Sequence, residues 1–153
     1  MKTTTVCYIE RDGKYLMIHR TKKQNDENHD KWIGIGGKTE EGESPYDCIR
    51  REVFEETGLT IEKPEYRGIV TFVSDEFPTQ YMHLFKSKDF SGSINKSCDE
   101  GELEWIEKAR LRTIPMWEGD KIFLDLLDKK TSFFSLKLVY VGDTLVSHTL
   151  DFT

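Results

Sequence analysis

One short segment, from residue 44 to residue 58, carries clear helix signals at both of its ends. Ser44 is a residue type that caps free backbone N–H groups, and Pro45 is tolerated at the first helical position. Gly58 favours the left-handed turn that ends many helices. The residues between them predict one helix of about four turns. The remaining elements of the chain must pack around this helix.

Three glutamates of this helix, Glu52, Glu55 and Glu56, stand at i, i+3 and i+4 and therefore share one face. Most acidic runs are solvated faces, and that is the simplest interpretation of this one. The three carboxylates, however, lie beside the apolar arc of Ile49 and Val53. The opposite side of the helix carries Asp47, Arg50 and Arg51. Like charges at the edge of a core repel more strongly than in water, so this cluster calls for a counter-charge.

A hard divalent cation is the natural counter-charge for such a cluster. Mg²⁺ prefers oxygen ligands, keeps several waters and is commonly held jointly by carboxylates and substrate phosphates. It also polarises phosphoryl oxygens and lowers the pKa of an attacking water. Arg51, one helical turn before Glu55, can pair with that side chain and orient it. The spacing thus favours metal-dependent phosphate chemistry over a merely solvated face.

The sequence before and after this helix predicts mainly β-strands. Val6–Ile9 and Tyr15–Ile18 flank Asp12-Gly13, a dipeptide that favours a tight hairpin turn. The other predicted elements are strands over Trp32–Ile35, Tyr66–Val73, Gln80–Phe85, Leu103–Ile106, Phe133–Tyr140 and Thr144–Leu150, loops over Thr21–Lys31 and Ser87–Asp99, and an amphipathic helix over Glu118–Asp128. The order β-β-β-α-β-β-β-α-β-β predicts an α+β fold with a mixed sheet packed between helices.

Composition and charge exclude several classes of protein. The 153 residues fit one domain spanning 1–153, with 37% hydrophobic and 33% charged residues. No apolar stretch approaches the roughly 20 residues of a membrane-spanning helix, and no signal peptide precedes the first strand, so we expect a cytoplasmic protein without membrane contact. The net charge of −6 argues against stable nucleic-acid binding. Cys7, Cys48 and Cys98 lack C-x-x-C spacing and are interpreted as small hydrophobes.

The helix and the loop before it match a long family pattern. The chain reads GKTEEGESPYDCIRREVFEETGL from Gly37 to Leu59, which resembles the Nudix box, G-x5-E-x7-R-E-U-x-E-E-x-G-U with U apolar. The matched positions are Gly37, Glu43, Arg51, Glu52, Val53, Glu55, Glu56, Gly58 and Leu59. A chance match to so long a pattern is negligible, in contrast to a lone G-x-G-x-x-G.

The resemblance implies a Nudix fold, an α/β/α sandwich with a mixed β-sheet, and a divalent metal centre. In this family pattern Glu52, Glu55 and Glu56 are catalytic residues that ligate Mg²⁺ or Mn²⁺, directly or through water, and Glu52 assists the attacking water. Gly37 offers its backbone carbonyl to a metal ion. Many relatives add one acid from a distant loop, and Glu100 is our candidate for that ligand.

Other residues of the pattern are expected to hold the loop and helix together or to contact phosphate. Glu43 and Arg51 join the loop to the helix, and Gly58 ends the helix. Lys38 follows the glycine pair and is expected to meet phosphate. Lys23, in the loop before the third strand, is a further candidate phosphate contact.

Outside the box, the chain is similar to the MutT-like branch of the family, which hydrolyses oxidised purine nucleoside triphosphates. The similarity covers Trp32 before Gly36-Gly37, Trp117 after Ile114-Pro115, and the terminal hairpin. It implies that Phe72 and Trp117 stack on the base and that Asp120 reads its edge, although a tryptophan near an amphipathic helix also serves as a core residue. In a mammalian enzyme of this branch an Asn follows the tryptophan of the third strand and two adjacent Asp follow the later Trp-Pro, whereas this chain has Ile33 and Glu118-Gly119-Asp120.

The resemblance implies a hydrolase of (deoxy)nucleoside triphosphates that releases a monophosphate and pyrophosphate. It also implies 8-oxo-dGTP as the expected substrate and nucleotide-pool sanitation, a form of DNA repair, as the role. The cofactor is expected to be Mg²⁺, with Mn²⁺ as an alternative. ADP-ribose, a dinucleoside polyphosphate or a capped RNA end are alternative substrates. A non-catalytic nucleotide sensor is a further alternative, which the unbroken acidic box disfavours. The protein is expected to be a monomer or a homodimer. The four histidines, His19, His29, His83 and His148, form no motif.

Overall fold

The computed structural model describes residues 1–21, 28–94 and 101–153. Within these ranges the helices are α1 (Pro45–Thr57) and α2 (Glu118–Leu127), with a 3₁₀ turn at Lys108–Arg110. The strands are β1 (Lys2–Arg11), β2 (Lys14–His19), β3 (Trp32–Ile33), β4 (Ile35–Lys38), β5 (Thr60–Ile61), β6 (Glu65–Ser74), β7 (Gln80–Ser87), β8 (Phe90–Ser91), β9 (Glu102–Glu107), β10 (Phe134–Val141) and β11 (Thr144–Phe152). Neither helix is long and apolar enough to cross a bilayer.

Nine of the described strands form one mixed sheet. Its main path runs β11-β10-β6-β7-β1-β2-β3, with β4 paired to β1 and β9 paired to β2. The β1–β7 and β6–β10 pairs are parallel, and the other pairs in this sheet are antiparallel. The first hairpin turns at Asp12-Gly13, where both residues have positive φ, as the sequence predicts. The predicted α+β class with a mixed sheet is confirmed.

The two helices cover opposite faces of the sheet. In β1, Cys7 and Ile9 point into the core that contains Ile49 and Val53 of α1. Their neighbours Val6 and Tyr8 point into the core that contains α2 residues. Because side chains alternate across a strand, a strand that is apolar at consecutive positions must be covered on both sides. This two-sided burial makes the fold a three-layer arrangement.

Helix α1 begins and ends where its sequence signals predict. Ser44 Oγ accepts a hydrogen bond from Asp47 N at 3.1 Å, and Asp47 Oδ2 accepts one from Ser44 N at 3.0 Å, which completes a capping box. Gly58 takes the left-handed conformation with φ of 83° and donates its N–H to Phe54 O. The ends of α1 are therefore fixed by local interactions.

Two of the predicted elements were wrong in detail. The strand predicted over Trp32–Ile35 is divided into β3, which pairs with β2, and β4, which pairs with β1. The loop predicted over Ser87–Asp99 contains the short strand β8, which pairs with β5 in a separate two-stranded sheet. Strands of two residues carry too little periodicity to be read from sequence.

Candidate active site

The acidic face of α1 lies at the edge of the core. Ile49 and Val53 are fully buried beside it. The Glu52 side chain is 16% exposed and Glu56 is buried, whereas the Glu55 side chain is 57% exposed. Two of the three carboxylates are thus partly withdrawn from water, an arrangement that requires compensating interactions.

Arg51 connects the loop before α1 to its acidic face. Its Nε and Nη2 donate to Glu43 Oε2 and Oε1 at 2.7 and 2.9 Å, which is a bidentate pair. Its Nη1 donates to Glu52 Oε1 at 2.8 Å and to Glu55 Oε2 at 3.2 Å. The predicted contact with Glu55 is therefore present, but the placement of Arg51 on the side away from the glutamates was wrong. Residues four positions apart are neighbours on a helix surface, so Arg51 lies beside Glu55, and its side chain is long enough to contact Glu52 as well.

The Arg51 guanidinium also determines the ionisation of its loop partner. Hydrogen bonds from Arg51 and from the backbone of Glu40 lower the pKa of Glu43 to about 2. Arg51 Nη2 donates further to Lys38 O at 3.1 Å. These contacts hold the loop from Lys38 to Glu43 against the first turns of α1.

Strand β4 brings the backbone of Gly37 directly against Glu52. Gly37 pairs with Thr5 of β1. A Cβ atom at Gly37 would lie 2.5 Å from Glu52 Cδ and 2.6 and 2.7 Å from its two carboxylate oxygens. A side chain at this position would therefore displace the carboxylate, and the absence of one lets backbone and carboxylate oxygens approach each other.

The groups gathered here suit a hard cation. They are carboxylate and backbone carbonyl oxygens, the donors that Mg²⁺ and Mn²⁺ prefer. Glu56 is buried and Glu52 is half-buried, and Gly37 leaves room beside Glu52. Within the described ranges no three acidic, histidine or cysteine side chains form a ready ligand cluster. The predicted ligand Glu100 lies outside those ranges, as does Lys23.

A cavity of about 410 Å³ adjoins this face of α1. Its lining includes Gly37, Lys38 and Glu52, which the sequence assigned to phosphate and metal chemistry. It also includes Phe72, Trp117 and Asp120, which the sequence assigned to the base. The fold thus brings six of the predicted site residues, from four separate segments of the chain, to one concave surface.

Asp120 lies in the first turn of α2 and is 5% exposed. Burial raises the pKa of its carboxyl group from 3.8 to about 8, and the nearby positive charge of Lys31 acts in the opposite direction. Near neutral pH this group is therefore a neutral acid, which offers both a hydrogen-bond donor and an acceptor.

Trp117 is fixed by three contacts at the wall of the cavity. Its Nε1 donates to Asn28 Oδ1 at 2.7 Å. The Lys31 ammonium lies 4.3 Å from the centre of its ring, and the Tyr140 ring meets it edge-on at 5.1 Å. Trp117 packs against the core and also lines the cavity, so the two interpretations of this residue are compatible.

Several cavity residues were not found from the sequence. They include Thr4, Tyr8, Asn28, Gln80 and Tyr140. Tyr8 and Tyr140 sit in apolar strands, where the pattern indicates core residues, and Asn28 sits in a polar loop. No local signal separates such residues from ordinary core and loop positions. None of the four histidines belongs to the described lining; His19, for example, stacks on Trp32 and contacts Asp30.

The NUDIX domain family matches residues 1–127, so the chain belongs to the Nudix family. It is a Nudix hydrolase, and pyrophosphohydrolysis is the general reaction of this family. Nudix hydrolases act on small nucleotide substrates and generally use divalent metal cations.

Similar proteins support the MutT-like branch. The chain is 29% identical to an uncharacterized Nudix hydrolase, YvcI, of Bacillus subtilis (strain 168), over 99% of this chain and 95% of that protein. It is 28% identical to the oxidized purine nucleoside triphosphate hydrolase of Danio rerio, over 98% of this chain and 94% of that protein. The crystal structure of the MutT protein from Bacillus halodurans matches it with a TM-score of 0.86 and 29% identity, over 99% of this chain and 98% of that chain.

Proposed function

We propose that this enzyme hydrolyses (deoxy)nucleoside triphosphates to monophosphates and pyrophosphate, with an oxidised purine nucleotide such as 8-oxo-dGTP as the preferred substrate and Mg²⁺ as the cofactor. The observation that carries this proposal is the shared cavity. The cavity is lined by Glu52 of the helix that bears the acidic cluster. It is also lined by two aromatic side chains and a carboxyl group suited to a base, those of Phe72, Trp117 and Asp120. The similarity to a hydrolase of oxidised purine nucleotides points to the same class of substrate.

The phosphate chemistry is assigned to the residues around α1. A divalent cation held by Glu52, Glu55, Glu56 and the Gly37 carbonyl would polarise the phosphoryl oxygens and offset the charge of both protein and substrate. Glu52 accepts the proton of the attacking water, while Lys38 pairs with a phosphate. The water oxygen bonds to phosphorus as the phosphoanhydride P–O bond breaks, and pyrophosphate leaves.

The base specificity is assigned to Asp120. Oxidation of guanine at C8 turns N7 from an acceptor into an N–H donor, while O6 stays an acceptor. A neutral carboxyl group donates to O6 and accepts from N7–H at once, whereas unmodified guanine presents two acceptors. A buried site that loses one of its hydrogen bonds discriminates strongly, because a polar group is left without a partner. Burial of Asp120, which keeps it protonated, supports this assignment.

A panel of substrates with Mg²⁺ tests the substrate assignment. The panel contains 8-oxo-dGTP, dGTP, ADP-ribose, a dinucleoside polyphosphate and NAD-capped RNA, and the phosphate products are identified. We expect the highest kcat/KM for 8-oxo-dGTP and release of pyrophosphate. Faster turnover of ADP-ribose, or release of orthophosphate from the triphosphate, would contradict the proposal.

A pair of variants tests the catalytic assignment. Glu52→Gln should lower kcat by about 10²–10⁴-fold, the usual contribution of a general base, and retain nucleotide binding by calorimetry. Glu62→Gln, at an exposed position between β5 and β6, is the matched control and should leave kcat unchanged. Equal rates for the two variants would remove Glu52 from the mechanism.

A further inference from the structure

The C-terminal hairpin contributes a side chain to the cavity that the sequence does not single out. Tyr140, near the end of β10, is 4% exposed and lines the cavity. The register between β10 and β11 shifts between Val139 and Tyr140. The extra residue is Val146 of β11, so β10 keeps its alternation and Tyr140 faces the same side as Leu136 and Leu138. Residue 140 also lies beyond residues 1–127, which match the family, so it belongs to a part of the chain outside that match.

Tyr140 completes the N-terminus of α2. The N-cap residue Trp117 makes no side-chain hydrogen bond to the first turn within the described structure. The first N–H groups of a helix have no partner inside the helix and need one from elsewhere. The Tyr140 hydroxyl accepts a hydrogen bond from Gly119 N at 2.7 Å in a buried environment. It therefore serves the purpose of an N-cap side chain from a different element of the fold.

The close packing of the first turn of α2 against β10 depends on Gly119. A Cβ atom at Gly119 would lie 2.4 Å from Leu138 Cδ1 and 2.7 Å from Tyr140 Oη. The first turn of α2 can reach the hydroxyl because it has no side chain at this point. Asp120 follows directly in the chain, and the Trp117 ring contacts the Tyr140 ring. Fixing Gly119 therefore fixes Trp117 and Asp120, two of the residues that we assign to the base.

We propose that Tyr140 is a positioning residue for base recognition, whose hydroxyl and ring hold the first turn of α2 so that Asp120 and Trp117 meet the nucleotide in one orientation. This inference rests on the proposed function of the cavity. Tyr140 acts through Gly119 on the binding of the base, not on the reacting phosphates. A contribution to binding that is equal in the ground state and the transition state changes KM and leaves kcat unchanged.

Tyr140→Phe tests this inference because it removes the hydroxyl and keeps the ring. It leaves the buried N–H of Gly119 without its acceptor. We expect KM for the best nucleotide substrate to rise about tenfold, kcat to stay within about twofold, and amide hydrogen exchange at Gly119 to accelerate about tenfold or more. Tyr81→Phe, at a partly exposed tyrosine of β7, is the matched control and should change none of these. Gly119→Ala should raise KM in the same direction by forcing the turn away from β10.

Two outcomes would overturn the proposal. One is a KM and a Gly119 exchange rate for Tyr140→Phe within twofold of those of Tyr81→Phe. The other is faster exchange of core amides such as that of Val53 by the same factor as Gly119, since this would show a general loss of stability. Exchange is measured without nucleotide, and KM with whichever nucleotide is turned over best. Failure of the 8-oxo-dGTP assignment would therefore leave this test intact.

Discussion

Replacement of Gly37 by alanine is expected to disable catalysis while leaving the fold intact. The new Cβ would lie 2.5 Å from Glu52 Cδ. Non-bonded carbon atoms pack at about 3.5–4.0 Å, so the carboxylate must move by about 1 Å or more. A misplacement of about 1 Å in a catalytic group lowers turnover by about 10²-fold. The φ of Gly37 is outside the left-handed region, so alanine adds no backbone strain.

The assay combines turnover with thermal unfolding. Pyrophosphate release at saturating nucleotide and Mg²⁺ gives kcat, and Tm reports on the fold. Gly13→Ala is the control, because its φ of 74° strains an alanine by about 1–2 kcal/mol while its Cβ would meet no atom within 4 Å. We expect Gly13→Ala to lower Tm and leave kcat unchanged. We expect Gly37→Ala to lower kcat and leave Tm unchanged. A Gly37→Ala enzyme with kcat within fivefold of the wild type would refute the reasoning about Glu52.

Two further predictions concern pH. The folded protein holds the Asp120 proton more tightly than the unfolded chain, so the free energy of unfolding should fall as pH rises from 3.8 to about 8. Urea titrations of the Asp120→Asn variant should lack this decline. The KM of this variant should stay constant above pH 8, where the KM of the wild type rises. The ionised Glu43 carboxylate, whose pKa is lowered to about 2 in the fold, stabilises the folded protein above pH 4.5, and this contribution is lost as pH falls towards 2. The Glu43→Gln variant should therefore show a shallower acid denaturation curve.

Each pH prediction has an outcome that contradicts it. An Asp120→Asn variant whose stability declines with pH as steeply as that of the wild type would show that Asp120 is ionised in the folded protein at neutral pH. A Glu43→Gln variant with an unchanged acid transition would show that the pair with Arg51 contributes no stability. Exposed Glu65→Gln is a suitable control for both titrations, because it changes one carboxylate without touching either site.

The sequence predicts the elements whose signals are local. The caps of α1 at Ser44 and Gly58 act within one turn of the helix, so the bounds of this helix follow from a few adjacent residues. The turn at Asp12-Gly13 is equally local, and the first hairpin was predicted correctly. The short strands β5 and β8 pair with each other across a long stretch of chain, and that pairing leaves no mark in either segment.

For the candidate site, the sequence by itself determined the shared face of Glu52, Glu55 and Glu56, because helical spacing alone places them there. Tertiary structure decided that Arg51 also binds the Lys38 carbonyl of β4 and that Asp120 is buried, which raises the pKa of its carboxyl group to about 8. It also decided that the Tyr140 hydroxyl meets Gly119. The physical reason is that spacing and capping act over a few residues, whereas burial and contacts between distant segments depend on how the strands pair.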